Sequence, residues 1–474
     1  MLINKVQKGF NFMENNTIAA IATAMNNGGI GIVRVSGDEA IEIVNRIYRS
    51  KGGKKSLCDV ASHTIHYGFI YDGEDMIDEV MVAVMKAPNT YTKEDTVEID
   101  CHGGIMVMNK ILETVCKNGA SLAEPGEFTK RAFLNGRIDL SRAEAVMDLI
   151  ESKNEFALKS SVSQLKGSVS ELVKKYREDI IFEIAFIESA LDDPEHISLD
   201  GYPERLKAKV DSLVENISKL IKSADNGKML KEGIETVIVG KPNAGKSSLL
   251  NLLVGEEKAI VTSVAGTTRD VLEQSIKLNG IGLNVIDTAG IRNTEDEVEK
   301  IGVEKARKYA ADADLIVYVV DASVALDESD TEICKLIKDK NVIILLNKTD
   351  LTNVVSEEDL KHLLNGENTK EFIRTSTKEN IGMDTFENTV EEMFFNGKLS
   401  FNDEVYITNA RHKQALIDAN DSLKLVLKSL EDDMPEDFYS IDLMSAYASL
   451  GSIIGEEVGE DLVNEIFSKF CMGK

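Results

Sequence analysis

Residues 236–248 read TVIVGKPNAGKSS, a β-branched run that enters a glycine-bearing loop and leaves through the apolar SLLNLLVG of residues 248–255. Gly240, Gly245, Lys246 and Ser247 satisfy GxxxxGK[ST], with a strand expected before the loop and a helix after it. That context predicts a phosphate cradle. Loop N–H groups face phosphate oxygens, Lys246 neutralises the β and γ phosphates, and Ser247 ligates magnesium. Asn243, Ala244, Gly245, Lys246, Ser247 and Ser248 are the candidate contacts.

Working outward, the runs LNVID (283–287), DLIVYVVD (314–321), NVIILLN (341–347) and EFIRTS (371–376) alternate with helical segments, the pattern of a mostly parallel α/β sheet. Asp287 opens DTAG, so a carboxylate is expected near the metal, followed by Thr288, Ala289 and the Gly290 N–H that can sense a γ phosphate. Thr267 and Thr268 in AGTTRD fall between the two motifs, on a loop able to bring a hydroxyl to magnesium. NKTD supplies Asn347, Lys348 and Asp350 after an apolar strand. An aspartate there accepts from the ring N–H and the amine of guanine, and adenine leaves those acceptors unpaired. Ser376, Thr377 and Lys378 are expected to complete the base pocket. Four ordered motifs imply a GTPase. Ile291 stands where many switch GTPases carry the water-orienting glutamine, and the segment NTEDEVEKIG offers Glu295, Asp296, Glu297 and Glu299 instead.

A chain of 474 residues should hold about three domains. From Ser141 to Asp193 there is one glycine, Gly167, and no proline, and helical spacing continues through the Lys-rich 206–230 and resumes near Tyr406. The fold class expected is therefore α/β and α+β multidomain, with a P-loop domain (231–394) inserted into a discontinuous helical domain (135–230 and 395–474). An α+β domain (1–134) precedes it, on GIGIVRVSG, EVMVAVMKA and DTVEIDCHGG. Lys plus Arg number 54 against 81 Asp plus Glu, a net charge of −27 that disfavours a surface gripping phosphate backbones throughout. Five scattered cysteines without a CxxC pair suit reduced thiols, and the first twenty residues show no secretory h-region, so a cytoplasmic protein is expected, with Met13 a second candidate start. No apolar run approaches the roughly 20 residues of a membrane helix. Cys58, His63 and His66 lie close but lack a fourth zinc ligand and suit an ordinary strand.

The blocks GKPNAGKSSLLN, IVTSVAGTTRDVLEQSI and DTAGIRNTEDEVEKIGVEKAR resemble the MnmE (TrmE) family of tRNA modification GTPases. So do TIAAIATAMNNGGIGIVRVSG, PGEFTKRAFLNGRIDLSRAEAVMDLI and the terminal FCMGK, where Met472 replaces the usual isoleucine; the resemblance runs from Thr17 over essentially the whole chain. It implies a potassium ion held by Asn243, Thr262, Val264 and Thr267, supplying positive charge that an arginine finger supplies elsewhere. It implies magnesium on Ser247 and Thr268, and Glu299 positioning water, with Lys246 and Asp287 the other catalytic candidates. It further implies a homodimer whose N-terminal domain binds a tetrahydrofolate derivative (5,10-methylene or 5-formyl) through Arg34, Glu98, Arg137 and Lys474, with Cys471 a candidate thiol beside the one-carbon unit. The partners implied are tRNA and a flavoprotein, MnmG (GidA), forming a heterotetramer that builds 5-aminomethyl or 5-carboxymethylaminomethyl on the wobble uridine. The rival reading is a GTP-dependent ribosome-assembly switch; a scaffold with negligible turnover is a third.

Overall fold

The computed structural model describes residues 16–53, 55–193, 195–258, 273–278, 281–287, 309, 313–338, 340–364, 371–395, 406–456 and 458–473. The chain divides into two compact units: Met1–Ile150 with Val162–Glu215 and Ala415–Lys474, and Glu151–Ser161 with Asn216–Gln414.

The first unit opens with a seven-stranded sheet in the order β3-β4-β5-β6-β2-β1-β7. Its strands are β1 (Ile18–Ile21), β2 (Gly28–Ser36), β3 (Tyr48–Ser50), β4 (Thr64–Asp72), β5 (Asp75–Met85), β6 (Thr96–Gly103) and β7 (Ser121–Leu122). Side chains alternate across each strand, so one face is apolar throughout: Val33, Val35, Val80, Val82, Val84, Val97 and Ile99 pack under the helices Ala40–Ile47 and Ile105–Lys117. The opposite face divides in two. Over β1 it carries Ile18 and Ala20 beneath Phe128 and Tyr91, whereas on β4 and β5 Ile65, Tyr67 and Met81 stand 64%, 42% and 47% exposed. Arg34, Glu98 and Asp100 lie between these parts, through the register Arg34↔Glu98 and Met81↔Asp100.

Helices complete this unit. In Ser168–Asp192 the buried set Val169, Val173, Tyr176, Ile180, Ile184 and Ile187 repeats every three to four residues and faces Glu436–Ile454. Arg177 crosses that seam, 2.6 Å from Glu456 and 3.9 Å above the Tyr447 ring, where Gly451 leaves it room. The long helical run expected from Ser141 is broken into Leu140–Glu151, Glu155–Lys166 and Ser168–Asp192. Gly167 makes the second break, at φ +108 and against the Arg142 guanidinium.

The second unit holds a six-stranded sheet, order β13-β12-β11-β8-β10-β9. The strands are β8 (Ile234–Val239), β9 (Glu273–Leu278), β10 (Ile281–Asp287), β11 (Leu315–Asp321), β12 (Val342–Asn347) and β13 (Glu371–Arg374). All neighbours are parallel except β9, an antiparallel edge strand beside β10. Both faces are covered: Ile238, Val317, Val319, Ile343 and Leu345 on one, Val237, Ile316, Tyr318, Ile344 and Leu346 on the other. That explains why the central strands read as continuous apolar runs rather than alternating ones. Among the described residues no helix is long and apolar enough to cross a membrane.

Candidate functional site

β8 delivers the chain into the loop 240–245, and the helix Lys246–Lys258 leads out. Three residues of this loop have left-handed backbones: Gly240 at φ +151, Asn243 at +62 and Gly245 at +109. Gly245 is sterically required, because a Cβ there would stand 2.1 Å from Asn347 Nδ2. The buried Asn347 ties the loop to the next motifs: its amide donates to the Ala244 carbonyl at 2.9 Å, and its Oδ1 accepts from the Thr377 N–H at 3.1 Å. Lys246 Nζ donates to the carbonyls of Gly240 and Lys241, each at 2.8 Å.

The base-side motifs converge at the carboxyl ends of β12 and β13. Ser376 Oγ donates to Asp350 Oδ1 at 2.8 Å, and the Thr349 N–H donates to the Thr375 carbonyl at 3.1 Å. Lys348, at φ +64, points its ammonium at Asp321 Oδ2, 2.6 Å away. Burial opposes ionisation of Asp321, but hydrogen bonds from Lys348 and Ser323 outweigh it and hold the carboxyl below the usual range. Ser247, Ser248, Asp350 and Lys378 are exposed at the same rim. A phosphate-loop lysine, a polar base edge and a buried asparagine between them make a site for a nucleoside polyphosphate. Thr262, Val264, Thr267, Thr268, Thr288, Ala289, Gly290 and Glu299 lie outside the described residues, as does the side chain of Asp287. Asp321 escaped the motif reading, although it ends DLIVYVVD and pairs in register with Asn347.

A second polar cluster forms on the first unit's sheet. Arg34 Nε donates to Glu98 Oε1 at 2.7 Å, with side chains 18% and 24% exposed. The Arg34 guanidinium lies 5.6 Å from the Phe128 ring centre, and Arg137 lies 4.7 Å from that of Tyr91. Tyr91 is held in turn by its hydroxyl at 2.9 Å from Thr129 Oγ1. Burial, and then the Glu98 charge, push the Asp100 carboxyl above its ordinary range. The C-terminal segment closes the group: the Gly126 N–H donates to the Cys471 carbonyl at 3.3 Å, and Arg34 Nη1 donates to the Gly473 carbonyl at 3.1 Å. Gly473, at φ +82, packs so tightly on Ile21 that a Cβ would meet its carbonyl at 2.3 Å. Arg34, Glu98 and Arg137 are thus brought to one place with the segment that carries the exposed Cys471, while Lys474 lies outside the described residues. Tyr91, Phe128 and Asp100 were not legible as part of this cluster, because nothing in their local spacing marks them. The His63 ring is engaged by Ser62 and the Asn89 carbonyl, and the His66 ring by Thr64.

Residues 17–137 match the family model described as the GTP-binding protein TrmE N-terminus, and residues 140–471 match the MnmE helical domain. The tRNA modification GTPase MnmE of Lachnoclostridium phytofermentans is 58% identical over 98% of this chain and all of its own length. That of Acetivibrio thermocellus is 48% identical over 97% of this chain and all of its own. Among solved structures, Aquifex aeolicus Era bound to GDP and aluminium fluoride is 27% identical, covering 40% of this chain and 67% of its own at a TM-score of 0.27. The G domain of the T. maritima FeoB iron transporter is 26% identical, covering 34% and 97% at 0.26. Full-length matching at this identity, over a chain with both the P-loop unit and the N-terminal sheet, places the protein in the tRNA modification GTPase MnmE family.

Proposed function

We propose that this GTP hydrolase of tRNA modification is potassium-stimulated, homodimeric, and works with a flavoprotein partner to build the 5-aminomethyl or 5-carboxymethylaminomethyl group on the wobble uridine. The observation that carries the proposal is the Arg34–Glu98 pair, roofed by Phe128 and closed by the Gly473 carbonyl. Its donor set fits a tetrahydrofolate. A carboxylate accepts from the adjacent N–H groups of a pterin, and guanidinium groups pair with ring oxygen or with the cofactor's own carboxylates. When bound, the folate supplies the one-carbon unit. The protein's part is to orient it: Glu98 is fixed by Arg34, and Arg34 and Arg137 are held against aromatic rings.

In the nucleotide site the chain binds phosphate through the loop 240–247 and selects guanine through Asp350, which Ser376 fixes. Ser247 with Thr268 offers oxygen donors that suit magnesium, and Asn243 with Thr262, Val264 and Thr267 offers oxygens that suit potassium. Those cations supply positive charge to the transferring phosphoryl group. Glu299 is the residue to which the family resemblance gives the attacking water, in a chain whose Ile291 side chain cannot hydrogen-bond. The homodimer reading is supported by the exposed apolar Met81, one strand from Glu98 and Asp100, and Ile65 and Tyr67, two strands from them.

Two measurements test the proposal. GTP turnover at equal ionic strength in potassium chloride exceeds that in sodium chloride, and Glu299→Ala removes the potassium-stimulated rate, a loss of about 100-fold or more. Titration with 5-formyltetrahydrofolate gives saturable binding that Glu98→Gln weakens about 10- to 100-fold, as expected for losing a charged acceptor. Equal slow turnover in both salts, or no folate binding, overturns the respective half of the proposal.

A further inference from the structure

The phosphate loop is fastened at both of its ends, and only the far fastening reaches a second nucleotide motif. At the far end Asn347 holds the Ala244 carbonyl. At the near end Gly240 approaches β11 so closely that a Cβ would fall 2.3 Å from the Val319 carbonyl oxygen. The next residue, Lys241, pairs its ammonium with Asp327 Oδ2 at 2.9 Å and Asp330 Oδ2 at 2.7 Å.

Asp330 is the hub of this contact. It is 1% exposed, its Oδ1 accepts from the Tyr318 hydroxyl at 2.7 Å, and its Oδ2 also accepts from the Asp327 N–H at 2.9 Å. Tyr318 belongs to β11, and Asp327 and Asp330 form the capping box of the helix Glu328–Leu336. Burial works against the Lys241 charge, but the carboxylates of Asp330 and Asp327 outweigh it and keep the amine protonated. The same residue acts a second time through its backbone, because the Lys241 carbonyl is one of the two acceptors against which Lys246 rests.

We propose that Lys241 is a positioning residue for nucleotide binding: its ion pair with Asp327 and Asp330 fixes the mouth of the phosphate loop and the carbonyls that hold Lys246 ready to turn to phosphate. The inference rests on the nucleotide reading of this loop. A loop held in its binding geometry loses less conformational freedom when the ligand arrives, so the strut raises affinity without touching phosphate. Removing the ammonium leaves Asp330 a buried carboxylate without its cation, which favours rearrangement of the loop's first peptide. A contact that served only to stabilise the unit would change the melting temperature and leave affinity alone.

The test is calorimetric titration of the full chain with magnesium GDP, alongside GTP turnover and thermal melting. Lys241→Met raises the Kd for GDP about 5- to 20-fold and raises KM for GTP by more than it lowers kcat. Lys241→Arg, which reaches both carboxylates, restores Kd to within about twofold. Asp327→Asn keeps an Asx cap on the helix but removes one charge, and weakens GDP about two- to threefold. Wild-type affinity in folded Lys241→Met, or no rescue by arginine, overturns the proposal. Should Lys241→Met fail to fold, Asp327→Asn carries the test, and wild-type affinity there overturns it. Wild-type protein that does not bind GDP removes the nucleotide reading and the inference together, whereas normal wild-type binding with unaffected variants removes the inference alone.

Discussion

His102, on β6, donates or accepts at Nδ1 with Asp78 Oδ1 at 2.7 Å while its backbone N–H meets Asp78 Oδ2 at 2.8 Å. The Asp78 hydrogen bond, then its charge, raise the imidazole above its ordinary value. A raised native value means that the pair's contribution is fully present below the unfolded pKa and is lost as pH rises through the folded one. Titration of the His102 ring protons by NMR therefore gives a midpoint above the ordinary histidine value, and Asp78→Asn lowers it. The thiols form a second residue-scale test. Cys58 and Cys471 are exposed, whereas Cys101 is buried, its thiol pushed up to about 11 chiefly by burial. A thiolate-seeking reagent should label Cys58 and Cys471 in the native protein and reach Cys101 and Cys334 only after unfolding. Residues of the nucleotide motifs were legible because backbone and ligand chemistry fix their spacing. Lys241, Asp321 and Asp330 were not, since their roles come from partners 27 to 89 positions away in sequence, reported by the Lys348–Asp321 and Lys241–Asp330 pairs.

Strands came through clearly at the scale of elements: TVIVG, DLIVYVVD and NVIILLN are β8, β11 and β12, because burial on both faces leaves an unbroken apolar run. The edge strand β9 was missed. EQSIKL is polar at four of its six positions, as an edge position permits. The break between Leu140–Glu151 and Glu155–Lys166 was equally silent, having neither glycine nor proline to mark it. Gly126, by contrast, carries an element-scale prediction. It begins the helix Glu127–Leu134 at φ +69, and a Cβ there would lie 2.6 Å from the Phe467 carbonyl and 2.8 Å from Phe470 Cβ. Gly126→Ala should cost about 1–3 kcal/mol by denaturant unfolding and weaken the hold on residues 470–473. In the long helix, Ile180→Ala empties a fully buried site and should cost about 2–5 kcal/mol in the same assay.

Across the whole molecule, the order of segments was readable because composition changes where the architecture does, from alternating strands to glycine-poor helices to β-branched runs and back to helix. The second site was not readable from physics alone. Arg34 and Glu98 are ordinary strand residues until β2 and β6 set them opposite each other and the C-terminal segment arrives. That arrival has a consequence in time. Arg34 and Gly473 are 439 positions apart, so on a ribosome adding roughly 5 to 20 residues per second the arginine waits about 20 to 90 seconds for the carbonyl that caps it. During synthesis the sheet can form with Arg34 and Glu98 uncapped. With the folate proposed above as the ligand, ribosome-bound chains stalled before residue 470 take up a folate analogue more weakly than chains that include residues 470–473, so uptake reports whether that segment has been made.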